Sequence, residues 1–239
     1  MSAAQHDFSG KLALVTGASR GLGYACAEAL AKAGAHVLLV GRTQGALEEL
    51  YDSITKAGGE ATGVPMDLTD FDAIDRLGGA LAERWGKLDM LVGNAGALGP
   101  LTPTSHISPD EFEKTMAINV TANARLIRAM DPLMMQAEAP RAVFVTSGAA
   151  SKALPFWGTY AISKAALNAL VQTWANEHAN DKLSANLLSP GPARTAMRAQ
   201  AMPGEDPETL ATPADIAPLF LDMLSPSFDK NGEIIRFNG

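Results

Sequence analysis

Tyr160 and Lys164 stand four residues apart in the segment Tyr160-Ala161-Ile162-Ser163-Lys164, and Ser147 precedes the tyrosine by thirteen. Four residues is about one helical turn, so the phenol and the ammonium share a face. A fixed positive charge beside a phenol favours the phenolate and lowers a pKa that is normally about 10. A tyrosine tuned in this way can give and take a proton near neutral pH. Taken alone, Tyr-x-x-x-Lys is a common chance pair on an ordinary helix. Its weight depends on what the rest of the chain places around it.

A glycine-rich turn supplies the first such context. The segment Thr16-Gly17-Ala18-Ser19-Arg20-Gly21-Leu22-Gly23 follows an apolar run and opens a helical one. Gly17 lets the chain turn sharply, Gly21 lets backbone approach a diphosphate, and Gly23 lets helix and strand pack without a Cβ between them. The helix N-terminus then faces the phosphates. The spacing is Gly-x-x-x-Gly-x-Gly, one residue longer than the common dinucleotide fingerprint, but its place between strand and helix is the required one. The second strand ends at Val40-Gly41-Arg42 with no acid to hold the free 2′-hydroxyl of NAD. Arg42, with Arg20 from the glycine turn, suits the 2′-phosphate of NADP(H) instead.

The elements that must position these groups alternate from end to end. Strands are expected at Leu12–Thr16, His36–Val40, Ala61–Pro65, Leu88–Val92, Ala142–Thr146, Leu183–Leu188 and Glu233–Phe237. Helices are expected at Gly21–Ala33, Gln44–Lys56, Phe71–Trp85, Pro109–Ala137, Thr159–Asn176 and Ala214–Leu224. Ser108 is placed to cap the longest of these, and Pro132 to kink or divide it. Such alternation predicts an α/β fold: a Rossmann-like, doubly wound parallel sheet of about seven strands with helices on both faces. One domain over residues 1–239 is the default at this length. The turn-rich stretch over residues 191–213 is the candidate for a mobile substrate loop.

Bulk properties narrow the function. Apolar content is 47%, charged content 19% and the formal net charge −7. That balance speaks against a nucleic-acid surface. Cys26 is the only cysteine and is expected to pack as a small apolar residue. His6, His36 and His178 lack partners at metal-ligand spacing, which predicts no metal. Residues 1–10 have no apolar core, so no signal peptide is expected, and no stretch is long enough to cross a bilayer. A cytoplasmic location follows by default.

Together these residues resemble the short-chain dehydrogenase/reductase family over nearly the whole chain. What the resemblance implies is specific. Thr16–Gly23 matches the coenzyme turn, and Asp67-Leu68 the element that contacts adenine. Gly93-Asn94-Ala95-Gly96 matches a motif usually written Asn-Asn-Ala-Gly, with Gly93 in place of the first asparagine, a change expected to loosen a backbone contact to the central sheet. Asn119 matches the catalytic asparagine of the long helix and, with Ser147, Tyr160 and Lys164, completes a tetrad. Pro190-Gly191 and Thr195 match the element around the nicotinamide. The implied reaction is hydride transfer between NADPH and a carbonyl carbon, with Tyr160 as proton donor. Lys164 lowers the tyrosine pKa and holds the nicotinamide ribose. Ser147 bonds the substrate oxygen, and Asn119 holds a water linking Lys164 to solvent. A homodimer or homotetramer through the two long helices is implied as well.

Bland readings stand beside these. Ser147 could simply end a strand, Asn119 could bond locally in its helix, and Asp67 could lie on the N-cap side of the third helix. His106 is left out as a solvated loop histidine. Leu98, Leu101, Phe156, Trp157, Met197 and Met202 are candidate walls for an apolar carbonyl substrate, or else core or interface residues. A non-catalytic NADP-binding protein is the alternative function; it would show a broken tetrad, whereas all four positions are filled here.

Overall fold

A computed structural model describes residues 6–238 of the chain. Seven parallel strands form one sheet in the order β3-β2-β1-β4-β5-β6-β7. They are β1 (Leu12–Thr16), β2 (His36–Gly41), β3 (Glu60–Pro65), β4 (Met90–Gly93), β5 (Arg141–Val145), β6 (Ser184–Ser189) and β7 (Ile234–Arg236). The chain winds outward from β1 to β3, returns to β4 beside β1, and then winds the other way. The carboxyl ends of β1 and β4 therefore border the point where winding reverses, the place where open α/β sheets bind ligands.

Side-chain alternation explains why both faces are covered. Leu12 and Leu14 of β1 join Leu38, Val40 and Leu91 in one core, while Ala13 and Val15 join Val37, Leu39 and Val92 in the other. Successive strand residues point to opposite faces, so apolar residues at every position require a helical layer on each side. Helices α1 (Gly21–Lys32), α2 (Gln44–Lys56) and α9 (Pro213–Leu224) cover the Ala13 face. Helices α3 (Phe71–Arg84), α5 (Ala122–Met134) and α7 (Gly158–Glu177) cover the Leu14 face. Cys26 is fully buried in the first core, and burial pushes its thiol pKa up.

The expected helix over residues 109–137 is instead three pieces: α4 (Pro109–Met116), a π-helical turn (Ala117–Thr121) and α5. The interruption lies at Asn119 and not at Pro132. Pro132 falls near the end of α5, and the helix runs on past it to Met134. Ser108 precedes α4 but its side chain makes no capping bond. The cap at α3 comes from Asp70, whose carboxylate accepts from the Ala73 N–H at 3.0 Å, so Asp67 is not the capping residue. Two short helices, α6 (Ala149–Lys152) and α8 (Ala196–Ala201), lie where no periodicity announced them. Part of the expectation for residues 1–10, and the terminal Gly239, fall outside the described residues.

Candidate active site

A cleft of about 990 Å³ opens along the carboxyl edge of the sheet. At one end stands the glycine turn. Gly17 and Gly21 have φ of 66° and 61°, a region that disfavours a side chain. A Cβ on Gly17 would also lie 2.9 Å from Asn94 Nδ2, and one on Gly23 would collide with the Gly17 carbonyl oxygen. Gly23 is therefore a packing position beneath the turn, away from the cleft wall; Gly17, Ser19, Arg20, Gly21 and Leu22 line the wall itself. The first turn of α1 holds no acidic residue, which leaves its positive end free for an anion.

Thr16 ties this turn to β4, a role that sequence inspection missed. Its buried hydroxyl donates to the Val92 carbonyl and accepts from the N–H groups of Asn94 and Ala95. Asn94 in turn donates its side-chain amide to the carbonyls of Thr16 and Gly17. A buried hydroxyl at a strand end is invisible to periodicity, because threonine counts equally as an ordinary strand residue. Asn94, Ala95 and Gly96 all line the cleft. Gly93 pairs with Phe144 of β5 in the sheet. A Cβ there would strike the Phe144 ring, so the aromatic edge fills the space a side chain would take.

Arg20 and Arg42 border the cleft, and Leu68 lines it from the end of β3. Asp67 does not line it. Its carboxylate accepts from the N–H and hydroxyl of Thr69, both at 2.8 Å, and lies 4.0 Å from Arg42. Those bonds from Thr69, with a smaller contribution from Arg42, hold the Asp67 carboxyl below the usual carboxylate range.

Farther along stand Ser147, from the loop after β5, and Tyr160 and Lys164, from the first turns of α7. Tyr160 is 7% exposed and Lys164 3%. The Lys164 ammonium donates to the Val145 carbonyl at 2.8 Å and sits 5.8 Å from the centre of the Tyr160 ring. The two do share a face. The expected lowering of the tyrosine pKa is absent, however: burial raises it, opposed by the Ser147 side chain. Lys164 itself is pushed down to about 8 by burial. Among the described residues neither group has a counter-ion, so desolvation disfavours charge on both.

Asn119 lies behind this wall, fully buried on the π turn. Its Oδ1 accepts from the Ala97 N–H, and its Nδ2 donates to the Ala97 carbonyl and to Ser163 Oγ, each at 2.8 Å. It clamps the backbone beside Gly96, where a Cβ would stand 3.5 Å from Lys164 Nζ.

Pro190, Gly191 and Thr195 close the cleft after β6, with Thr195 accepting the Arg198 N–H as the cap of α8. The stretch over residues 191–213 holds α8 and two ion pairs, Arg198–Glu205 at 2.5 Å and Arg194–Glu208 at 3.0 Å. Of the expected apolar walls, Leu98, Trp157, Met197 and Met202 line the cleft. Leu101 packs behind them against the small cluster of Leu98, Ala149 and Tyr160. Phe156 is 56% exposed, has a positive φ of 71°, and is not part of the lining. Lys152, Leu154 and Arg236 do line the cleft and were not anticipated: the first two belong to no periodic run, and Arg236 read only as a residue of the last strand. Among the described residues no group of three or more His, Cys, Asp or Glu side chains stands ready for a metal ion.

Comparison with known proteins bears on this site. A family model described as short chain dehydrogenase matches residues 11–206. An uncharacterized oxidoreductase of Escherichia coli, YciK, is 37% identical over 214 residues, covering 88% of this chain and 84% of its own. A short chain dehydrogenase of Salmonella enterica serovar Typhi superposes with a TM-score of 0.94 at 34% identity over 99% of each chain. A Shigella flexneri protein solved in complex with NADP superposes at 0.93, with 35% identity over 97% of this chain and 98% of its own.

Proposed function

The chain belongs to the short-chain dehydrogenase family, and on that premise we propose that it is an NADP(H)-dependent oxidoreductase acting on a carbonyl or secondary alcohol. One observation carries the reading: Ser147, Tyr160 and Lys164 border the same cleft that the glycine turn opens, with phenol and ammonium both buried. When bound, the nicotinamide supplies or accepts the hydride. The residues fit such a group. The left-handed Gly17 and Gly21 leave a cradle without Cβ atoms before the open N-terminus of α1. Arg20 and Arg42 stand where a 2′-phosphate would meet two guanidiniums. The NADP complex of the Shigella flexneri relative supports the same choice.

The chemistry assigned to this chain's own groups follows from their settings. Burial keeps the Tyr160 phenol protonated at neutral pH, the form that donates a proton to a carbonyl oxygen. Ser147 orients that oxygen and stabilises its developing charge. Lys164, down at about 8, exchanges its proton readily near neutrality and suits a relay behind the phenol. Asn119 positions the Gly96–Ala97 backbone beside that ammonium. Leu68, Asn94, Ala95, Gly96, Pro190, Gly191 and Thr195 complete the proposed cofactor walls, with Gly23 acting beneath them. The stretch over residues 191–213 is the segment proposed to close over substrate.

Among the described residues no helix is long and apolar enough to cross a membrane. A cytoplasmic location and a homodimer or homotetramer through the stretch from α4 to α5 and through α7 belong to the same proposal. The test is NADPH oxidation with a panel of ketones and aldehydes, beside Tyr160→Phe. The variant should lose at least about 100-fold in kcat while still binding NADPH. A variant as fast as the parent removes Tyr160 as donor. A parent that binds NADPH but turns over no carbonyl favours the non-catalytic alternative.

A further inference from the structure

The cleft of this acidic chain is lined by seven cationic side chains and by no Asp or Glu. Most of the cations are accounted for. Arg194 and Arg198 pair with Glu208 and Glu205, Lys164 bonds the Val145 carbonyl, and Arg20 and Arg42 flank the proposed cofactor phosphates. Two cations remain: Arg236 at the end of β7, which also makes no ion pair among the described residues, and Lys152. Lys152 ends the short helix α6, is exposed, and makes no ion pair among the described residues. Its stem folds back over Gly148, with Cε 3.7 Å from where a Cβ on that glycine would be. Gly148 directly follows Ser147, so this free ammonium belongs to the reacting end of the cleft and not to the glycine-turn end.

The chain around Lys152 is held in a costly shape. Ala153 and Phe156 both have left-handed backbone, at φ 47° and 71°. Such backbone is strained for residues with a side chain, and strain of this kind gathers where a site must be shaped. Beside these residues Lys152, Leu154 and Trp157 all line the cleft, with Leu154 39% exposed. Met197 and Met202 add apolar surface to the same space. A free cation beside an apolar trough matches a ligand with an anionic group on an apolar body.

We propose that the substrate is a carbonyl compound bearing a carboxylate, its apolar body against Leu154, Trp157 and Met202 and its carboxylate held by the Lys152 ammonium. The word substrate rests on the oxidoreductase reading; the binding geometry does not. The first test is therefore binding without turnover. Decanoate and decanamide, alike in length, are titrated by calorimetry into the NADP+-loaded protein, into Lys152→Met and into Lys152→Arg. Decanoate should bind the parent at least about tenfold more tightly than decanamide, as a charge-assisted contact would give. Lys152→Met should remove that advantage, Lys152→Arg should restore most of it, and raising the salt should weaken it. Equal binding of the two probes, binding of neither, or an advantage that survives Lys152→Met overturns the proposal.

The second arm compares NADPH oxidation with a keto acid and its methyl ester. A parent that prefers decanoate through Lys152 but reduces neither compound refutes the oxidoreductase reading and leaves the anion site standing. A parent that reduces both at equal kcat/KM refutes the carboxylate and leaves the oxidoreductase reading standing.

Discussion

Among the described residues Lys164 is an ammonium with one backbone carbonyl and no carboxylate for company, and burial moves it from 10.5 to about 8. The sign of the consequence is definite. Below pH 8 the lysine is charged in both folded and unfolded chains, and the folded state bears a desolvation cost of about 3 kcal/mol. Between pH 8 and 10.5 the unfolded chain binds more protons than the folded one, so stability rises with pH through that window. Urea unfolding of the cofactor-free parent and of Lys164→Met at pH 7 and pH 10 should show the parent gaining on the variant. A constant gap would mean that the ammonium is not desolvated. Tyr160 moves the opposite way in value for the same reason, since an acid loses charge when its pKa rises. The pairing of the two residues was plain from their spacing. The direction of the tyrosine's shift was not, because it depends on burial, which outweighs the opposing Ser147 side chain and which only the folded chain sets.

At the scale of elements, two features carry the site. The first is the π turn between α4 and α5, which sets Asn119 against Ala97. Asn119→Ala would leave both the N–H and the C=O of Ala97 without their partner, at about 1–3 kcal/mol for each group. Chemical denaturation should show a loss of about 2–5 kcal/mol for Asn119→Ala, and less than about 1.5 kcal/mol for Ser163→Ala, which removes one bond from the same amide. The second is the fit of Gly93 to the Phe144 ring. Gly93→Asn, which restores the usual family residue, should destabilise the protein by about 1–3 kcal/mol through overpacking. Combined with Phe144→Val it should cost less than the two single changes added together, and a double-mutant cycle checks this. Additive losses would show that the ring does not occupy the asparagine's place. Strand and helix order was readable from apolar runs and glycine stops. The π turn was not, because its sequence is as helical as its neighbours and only contact with the 96–97 loop distinguishes it.

For the whole molecule, the cleft joins segments from both halves of the sheet, so occupying it should stabilise the entire fold. NADP+ at about 100 times its Kd should add about 2.7 kcal/mol, or roughly 5–10 °C in unfolding midpoint for a chain of this size. NAD+ at equal concentration should add less, and Arg42→Ala should bring the two closer together. Equal shifts in the parent would remove the arginines from cofactor choice. Local patterns sufficed for the parallel α/β architecture, since apolar strands alternating with amphipathic helices can bury their surfaces in few other ways. They sufficed too for the glycine turn and for the spacing of Ser147, Tyr160 and Lys164, because backbone geometry ties those residue types to those offsets. Only the folded chain decided that Asp67 turns to Thr69, that Phe144 stands in for a missing side chain at Gly93, and that Lys152 enters the cleft in place of Phe156. The first depends on a local side-chain turn, the second on contact between residues remote in sequence and the third on a segment with left-handed backbone, and none of these leaves a periodic trace along the chain.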